Sequence, residues 1–283
     1  MPDIRSKGNT ALVAQLLIYL IMVIFTVLAI YPILWLVIQS FKTTQDYLRS
    51  SKLAFPTRWF LDNYPQSWKR GEFGVLIINS IIYTSVSVTS IIVLGFMAGF
   101  AFSKIPSKAT KFIHGSFIIG ILLTLQSIMV PLFLMVNAVR LYNTRIGVLI
   151  PYIGIGLPMC VYLSTEYIRS VPDALIESAR IDGAKYLKIF SSIIVPMAAP
   201  VAVTVAILSI TGTWNEFMLI NILSSSNSIK SLPVGIAKFS GALASDYGKQ
   251  FAALVIGLIP MVIFYLIFRK QITKGVAAGA VKG

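Results

Sequence analysis

Six long apolar runs alternate with short polar stretches along the chain, at roughly residues 16–38, 75–102, 112–136, 147–165, 189–223 and 251–268. A helix rises about 1.5 Å per residue and crosses a ~30 Å hydrocarbon core in about 20 residues, so each run is long enough to span a bilayer. Lipid offers no water to an unpaired peptide group, so a spanning segment must be a helix or belong to a closed barrel. The period-two alternation of barrel strands is missing here. The pattern predicts an all-α integral membrane protein with six transmembrane helices in a single domain, residues 1–283. Arg5 and Lys7 precede the first run. That run is too long for a signal-peptide core and lacks a small-residue cleavage site, so it is expected to be retained as the first span.

Between the fourth and fifth runs the pattern changes. Arg169, Asp173, Glu177, Arg180, Asp182, Lys185 and Lys188 fall within about 20 positions. A mid-bilayer charge costs about 2.5–3.5 kcal/mol on insertion scales, so burying several would cost roughly 10 kcal/mol or more. Residues 172–188 must therefore lie outside the hydrocarbon. Pro172 suits a first helical turn, because its missing N–H would be unpaired there anyway. Asp173 and Glu177 then lie toward the positive end of the helix dipole. Gly183 can take positive φ, which lets one short helix end and a second begin at Lys185, Tyr186 and Leu187. Small side chains at Ser178 and Ala179 allow close approach by another protein, although an interfacial hairpin without a partner has the same composition. Pro196 and Pro200 would bend the start of the fifth span.

Composition fits this picture: 57% of the 283 residues are hydrophobic and 12% charged, about half the charge fraction of soluble domains. Mean hydropathy is +0.83. A net charge of +14 would suit nucleic acid only on a solvated basic face. Here the basic residues flank apolar spans, where anionic lipid head groups lie. With the N-terminus inside, about 13 basic residues are cytoplasmic and about 11 external, so the total barely decides orientation. Two short basic segments hard against spans decide more: Lys104, Lys108 and Lys111, then Arg269, Lys270, Lys274 and Lys282. They put both termini and the charged hairpin in the cytoplasm. The segment 39–74, with Trp59, Phe60, Tyr64 and Trp68, becomes an external interfacial loop with aromatic anchors. Residues 224–250 form a second external stretch, either a solvated connector or a contact for a soluble partner.

The order of residues in the hairpin is more specific than its composition. Glu177, Ser178, Ala179, Asp182, Gly183 and Ala184, then Phe190, Ile193 and Pro196, resemble the EAA loop of ABC importer permeases. Ser178 stands where that family usually has Ala and Val195 where it has Leu, changes that keep the surface small and apolar respectively. Asn79-Ser80, Asn143-Thr144, Leu157-Pro158, Trp214-Asn215-Glu216-Phe217 and Leu232-Pro233-Val234-Gly235 resemble the carbohydrate-uptake branch. The last nine residues, from Gly275 to Gly283, resemble the tail of the smaller maltose-type permease.

The resemblance implies a type I ABC importer permease fold with a cytoplasmic coupling-helix hairpin. In it Glu177, Ser178, Ala179, Asp182 and Gly183 meet a separate ATP-hydrolysing subunit. The cytoplasmic tail, 269–283, reaches the interface between two such subunits through Gly275, Gly279, Lys282 and Gly283. Also implied are a second, related permease, a solute-binding protein outside, ATP and Mg on the ATPase partners, and a bacterial cytoplasmic membrane. The implied function is the permease subunit of an ATP-driven, binding-protein-dependent carbohydrate importer that carries no catalysis itself.

The residue inventory agrees. There is no GxxxxGK[ST] phosphate cradle, and His114 and Cys160 are the single histidine and cysteine, too few for a catalytic triad or a metal site. No cofactor is expected on this chain. Glu216, a carboxylate within the fifth run, costs a few kcal/mol there unless it faces a polar cavity or a partner. With Trp214 and Asn215 it could line a sugar path, aromatics stacking on sugar faces and polar groups taking hydroxyl protons. A role in helix packing is an equal alternative. Asn79 is a weaker pathway candidate. A permease for a non-sugar solute and an ion-driven secondary transporter remain alternatives, the latter weakened by the lack of a visible internal repeat. A membrane enzyme lacks a nucleophile or metal set.

Overall fold

The computed structural model describes the backbone of residues 4–105, 107–242 and 246–280, and the side chains of 12, 14–105, 107–239 and 246–271. In chain order the helices are α1 (Ile4–Gln39), α2 (Thr44–Arg49), α3 (Asn63–Arg70), α4 (Phe73–Lys104), α5 (Lys108–Ile121), α6 (Leu125–Ala138) and α7 (Arg145–Arg169). There follow α8 (Asp173–Ile181), α9 (Tyr186–Ile189), a π-helical turn (Phe190–Ile194), α10 (Val195–Met197), α11 (Ala199–Asn215), α12 (Met218–Leu223), α13 (Leu232–Ala242) and α14 (Tyr247–Ala280). Among the described residues all regular structure is helical.

Four stretches are each long and apolar enough to cross a membrane alone: Ala14–Gln39, Phe73–Lys104, Arg145–Arg169 and Tyr247–Gln271. The count reaches six when each of two bent pairs is taken as one span. The first bend departs from the continuous span expected at 112–136, whereas the second falls where Pro196 and Pro200 were expected to bend the run at 189–223. In the first, the chain bends by 112° between α5 and α6. Thr124 is extended (φ −76°, ψ 143°) ahead of α6, and its hydroxyl lies 2.8 Å from that of Ser127. The second run bends by 75° between Met197 and Ala199. Pro196 and Pro200 lack an N–H for the helical ladder, and the π-turn and Ala198 (φ −83°, ψ 1°) absorb the mismatch. The run breaks again at Glu216, which is extended between α11 and α12.

The chain forms two compact units, residues 1–71 with 238–259 and residues 72–237 with 260–283. In the first, the apolar window of α1 has no buried residue. A helix that is apolar all round and uncovered by its own chain is made for lipid or for another subunit. Beyond α1 the loop that follows it closes on a buried polar knot. The Asn63 amide donates to the Ser40 carbonyl (2.8 Å) and the Lys42 carbonyl (2.9 Å). The buried Lys42 ammonium donates to the Ser50 hydroxyl (3.1 Å) and the Ser51 carbonyl (3.2 Å). Gly248, at the start of α14, sits so close that a Cβ there would lie 2.2 Å from the Lys42 carbonyl oxygen. Asp246 precedes α14 and accepts from Thr44 Oγ1 (3.0 Å) and pairs with Lys249 (2.6 Å). Burial pushes the Asp246 carboxyl up, but the bonds from Lys249 and Thr44 outweigh it and hold the group below the usual range.

The second unit is built on α4 against α7. Gly95 and Gly99, one turn apart, let the helices meet almost backbone to backbone. A Cβ at Gly95 would stand 2.3 Å from Cys160 Sγ, and one at Gly99 would stand 2.2 Å from Ser164 Oγ. Ser164 donates across the seam to the Gly95 carbonyl at 2.9 Å. This is the small-residue packing by which membrane helices associate when no hydrophobic driving force separates lipid from protein. At the base of the pair, Phe96, Phe100, Ile168 and Val171 share a buried cluster with Ile176 of α8, Ile189 of α9 and Ile194 of the π-turn.

Candidate functional site

The charged insert folds as the sequence predicts, a helix, a turn and a helix. Asp173 and Arg180 sit in the first and last turns of α8, each at the end its charge favours. Pro172 occupies the cap position, one residue before the first turn expected for it. The C-terminus closes through Gly183 at φ +81°. Its N–H donates to the Arg180 carbonyl (3.0 Å), and that of Ala184 donates to the Ala179 carbonyl (2.9 Å). That nested pair needs a left-handed residue at its centre, which explains a glycine there.

Ile176 and Ile189 face inward, whereas Ile181 is 87% and Leu187 73% exposed. Glu177, Ser178, Asp182 and Gly183 are exposed and Ala179 is half-buried. The Arg180 guanidinium lies 5.6 Å from the Tyr186 ring centroid. The five residues expected to meet a partner thus lie on one short hairpin whose tip carries apolar and charged groups together. Lys104, at the end of α4, donates to the Val171 carbonyl (2.7 Å) and the Asp173 carboxylate (2.6 Å). The short basic loop and the hairpin therefore lie at one end of the α4–α7 pair.

The four pathway candidates separate. Asn79 is fully buried and saturated: its amide donates to the carbonyls of Ser228 (2.8 Å) and Lys230 (3.0 Å), and its oxygen accepts from Arg145 (3.1 Å). It clamps the connection after α12, as do the Tyr83 hydroxyl on the Ile229 carbonyl (2.7 Å) and the Ser80 hydroxyl under the Leu232 N–H (2.9 Å). Asn215 is exposed and its amide donates back to the Thr211 carbonyl at 2.9 Å. Trp214 is buried at the wall of a cavity of about 380 Å³ between α4, α11 and α14, beside Thr84, Ser85 and Thr89. Glu216 borders a different cavity, of about 290 Å³, with Tyr152, Ser209, Gly212 and Thr213. A third hollow, of about 710 Å³, is lined by apolar side chains and glycines of α5, α6 and α7.

Glu216 is not a free carboxylate. It accepts from the backbone N–H groups of Leu219 (2.7 Å) and Ile220 (3.2 Å), and from the Tyr152 hydroxyl (2.7 Å). Three of about four lone-pair sites are used, and the side chain fixes the start of α12 to α7. Sequence reasoning missed Tyr152 and Lys104. Tyr152 lies 64 positions from Glu216 and belongs to no motif. Lys104 reads as one of three loop lysines until α4 and α8 are placed together. The tail continues α14 as helix to Ala280, which includes Gly275 and Gly279. Side chains past residue 271 are not described, and Lys282 and Gly283 lie outside the described residues. No group of three or more His, Cys, Asp or Glu able to hold a metal occurs among the described residues.

A polytopic helical membrane protein with broken spans and a charged hairpin at one end of its central helix pair has the form of a transport permease. Residues 91–277 match the family described as "Binding-protein-dependent transport system inner membrane component", and the chain belongs to that family. It is 33% identical over 265 residues to the putative ABC transporter permease protein ORF2 of Caldicellulosiruptor sp. (strain Rt8B.4), covering 94% of this chain and 96% of the relative. It is 35% identical over 268 residues to the multiple sugar-binding transport system permease protein MsmG of Streptococcus mutans, covering 93% and 96%. Its fold is similar to a chain of a bacterial ABC transporter involved in the import of the acidic polysaccharide alginate. That likeness has a TM-score of 0.79 at 23% identity and covers 95% of this chain and 99% of the other.

Proposed function

We propose that the chain is one of two permease subunits in an ATP-driven importer of an oligosaccharide. An external binding protein delivers the solute, and two ATPase subunits bind on the cytoplasmic side. The observation that carries this reading is the hairpin: five contact residues on a Gly183-centred turn, with Ile181 and Leu187 exposed at its tip. Such a tip suits insertion into a cleft of a separate subunit. The sequence has no phosphate cradle of its own, which is consistent with an energy source encoded elsewhere. Sugar as the solute class is favoured by relatives named for sugar uptake, such as the multiple sugar-binding system permease and the melibiose/raffinose/stachyose import permease MelC of Bacillus subtilis.

In this reading all 283 residues form one permease domain in a bacterial cytoplasmic membrane, with both termini and the hairpin inside. ATP and Mg are held by the partners, and the tail beyond Gln271, including Gly275, Gly279, Lys282 and Gly283, docks between them. The path for solute runs beside α11. There Ser209, Gly212 and Thr213 offer hydroxyls and open space, and Trp214 offers an aromatic face. Glu216 shapes this wall by holding α12, and Asn79 holds the external connection rather than touching solute.

The test is purification of the chain with its co-purifying subunits, reconstitution with binding protein, and nucleotide-dependent uptake across a panel of oligosaccharides. Gly183→Pro, which cannot take positive φ, is expected to abolish uptake while the permease pair still assembles. Uptake that continues without nucleotide, and collapses with an ionophore, would instead identify a secondary transporter.

A further inference from the structure

The Lys104 side chain is only 6% exposed, although it ends α4 beside a short polar loop, where a lysine would ordinarily reach water. An ammonium removed from water is unfavourable unless strong acceptors replace its hydration. Here they come from the two sides of one junction: the carbonyl of Val171, just past α7, at 2.7 Å, and the carboxylate of Asp173, in the first turn of α8, at 2.6 Å. One cation thus ties the end of α4 to the point where α7 passes into the hairpin.

Two further contacts make the same connection. The ring of Phe100, one turn back along α4, lies 5.6 Å from Phe190 in the π-turn and 6.3 Å from Tyr186 of α9. Farther along, Gly95 and Gly99 hold α4 on α7 with no room for a side chain. The hairpin is covalently joined to α7 and, through the π-turn, to α10 and α11; α4 has no covalent link to it. The 75° bend between Met197 and Ala199 weakens the route into α11 as a stiff rod.

From this geometry we infer that Lys104 is the positioning residue that makes α4, α7 and the hairpin one lever. A push on the hairpin tip then reaches the part of α4, around Thr84, Ser85 and Thr89, that lines the Trp214 cavity. The inference rests on the importer reading above. Without Lys104 the hairpin still docks and still responds to its partner, but its displacement is taken up at the Val171–Asp173 junction instead of moving α4.

The experiment uses the full reconstituted complex, measuring binding-protein-stimulated ATP hydrolysis and uptake in the same vesicles. Lys104→Met replaces the ammonium with an apolar chain of similar length. It is expected to assemble and to hydrolyse ATP within about twofold of wild type, but to lose at least about tenfold in solute moved per ATP. Lys104→Arg keeps a donor for both acceptors and should restore most of that ratio. In Lys104→Cys/Asp173→Cys, a short thiol-reactive bifunctional cross-linker such as a bis-methanethiosulfonate should raise the ratio again, because it replaces the tie covalently. An unchanged ratio in Lys104→Met overturns the proposal. So does failure of that variant to assemble, which would assign the lysine to folding, and so does loss of uptake on cross-linking. Wild-type vesicles that show no nucleotide-dependent uptake remove the importer reading and the lever with it, an outcome distinct from a coupled wild type with an indifferent Lys104.

Discussion

Gly99→Ala tests the α4–α7 seam, since the new methyl meets two kinds of obstacle. It would lie 2.2 Å from Ser164 Oγ, 2.9 Å from Ser164 Cβ and 3.0 Å from the backbone nitrogen of Thr165. Comfortable separations are about 3.5–4.0 Å. The hydroxyl can rotate away only by giving up its bond to the Gly95 carbonyl, while the other two atoms move only with α7 itself. Overpacking of this kind costs typically about 1–3 kcal/mol. The higher helix propensity of Ala offsets about 1 kcal/mol, leaving a net loss of about 0–2 kcal/mol.

Gly115 provides the opposite case, because a Cβ there meets nothing within 4 Å. Gly115→Ala should stabilise by about 0.4–1 kcal/mol. Tryptophan-fluorescence unfolding in mixed micelles reads both, and the two shifts should have opposite sign. Ser164→Gly removes both Ser164 contacts, so the double variant with Gly99→Ala should show a favourable coupling of about 1 kcal/mol. Equal shifts at Gly99 and Gly115, or zero coupling with Ser164, would refute close packing at this seam.

Glu216→Ala should destabilise the chain by about 1–3 kcal/mol, because two backbone donors and the Tyr152 hydroxyl lose their acceptor; Tyr152→Phe should cost less, and the pair should be non-additive in the same unfolding assay. Asp246, whose folded carboxyl is depressed, contributes stability above its unfolded value near about pH 3.9 that is lost as pH falls through the folded value. Asp246→Asn should therefore lower stability at neutral pH and flatten its decline below about pH 4, read from thermal unfolding across that range. Asn79→Ala should free the connection after α12, seen as faster proteolysis between residues 224 and 231 with α4 intact. Unchanged cleavage would mean that Tyr83 and Ser80 suffice to hold it.

The helices were legible because their signal is local. Hydropathy marked every membrane-scale segment, and Gly183 and the charge order marked the hairpin turn. The breaks were less legible, for physical reasons. Pro196 and Pro200 announced disorder in the helical ladder of the fifth run, but nothing in the sequence LLTLQS of residues 122–127 distinguishes a sharp bend from a continuous span. The structural partners of the polar residues were the least legible. Asn79 and Glu216 look like solute contacts because amides and carboxylates are costly in lipid, yet each is consumed by partners far along the chain, Ser228, Lys230 and Arg145 for the first and Tyr152 for the second. Pairings across such distances leave no local periodicity. Lys104 was hidden for the same reason, since its meaning depends on where α8 begins in space.

Ile181 and Leu187 stand almost fully uncovered on the hairpin, and this shapes how the chain must be made. If the importer reading holds and partner subunits cover this tip, a copy synthesised in excess of them would display a greasy knuckle to surrounding proteins, inviting clumping and proteolytic clearance. Balanced co-expression of all subunits should therefore raise the recoverable yield far more than a stronger promoter on this gene alone.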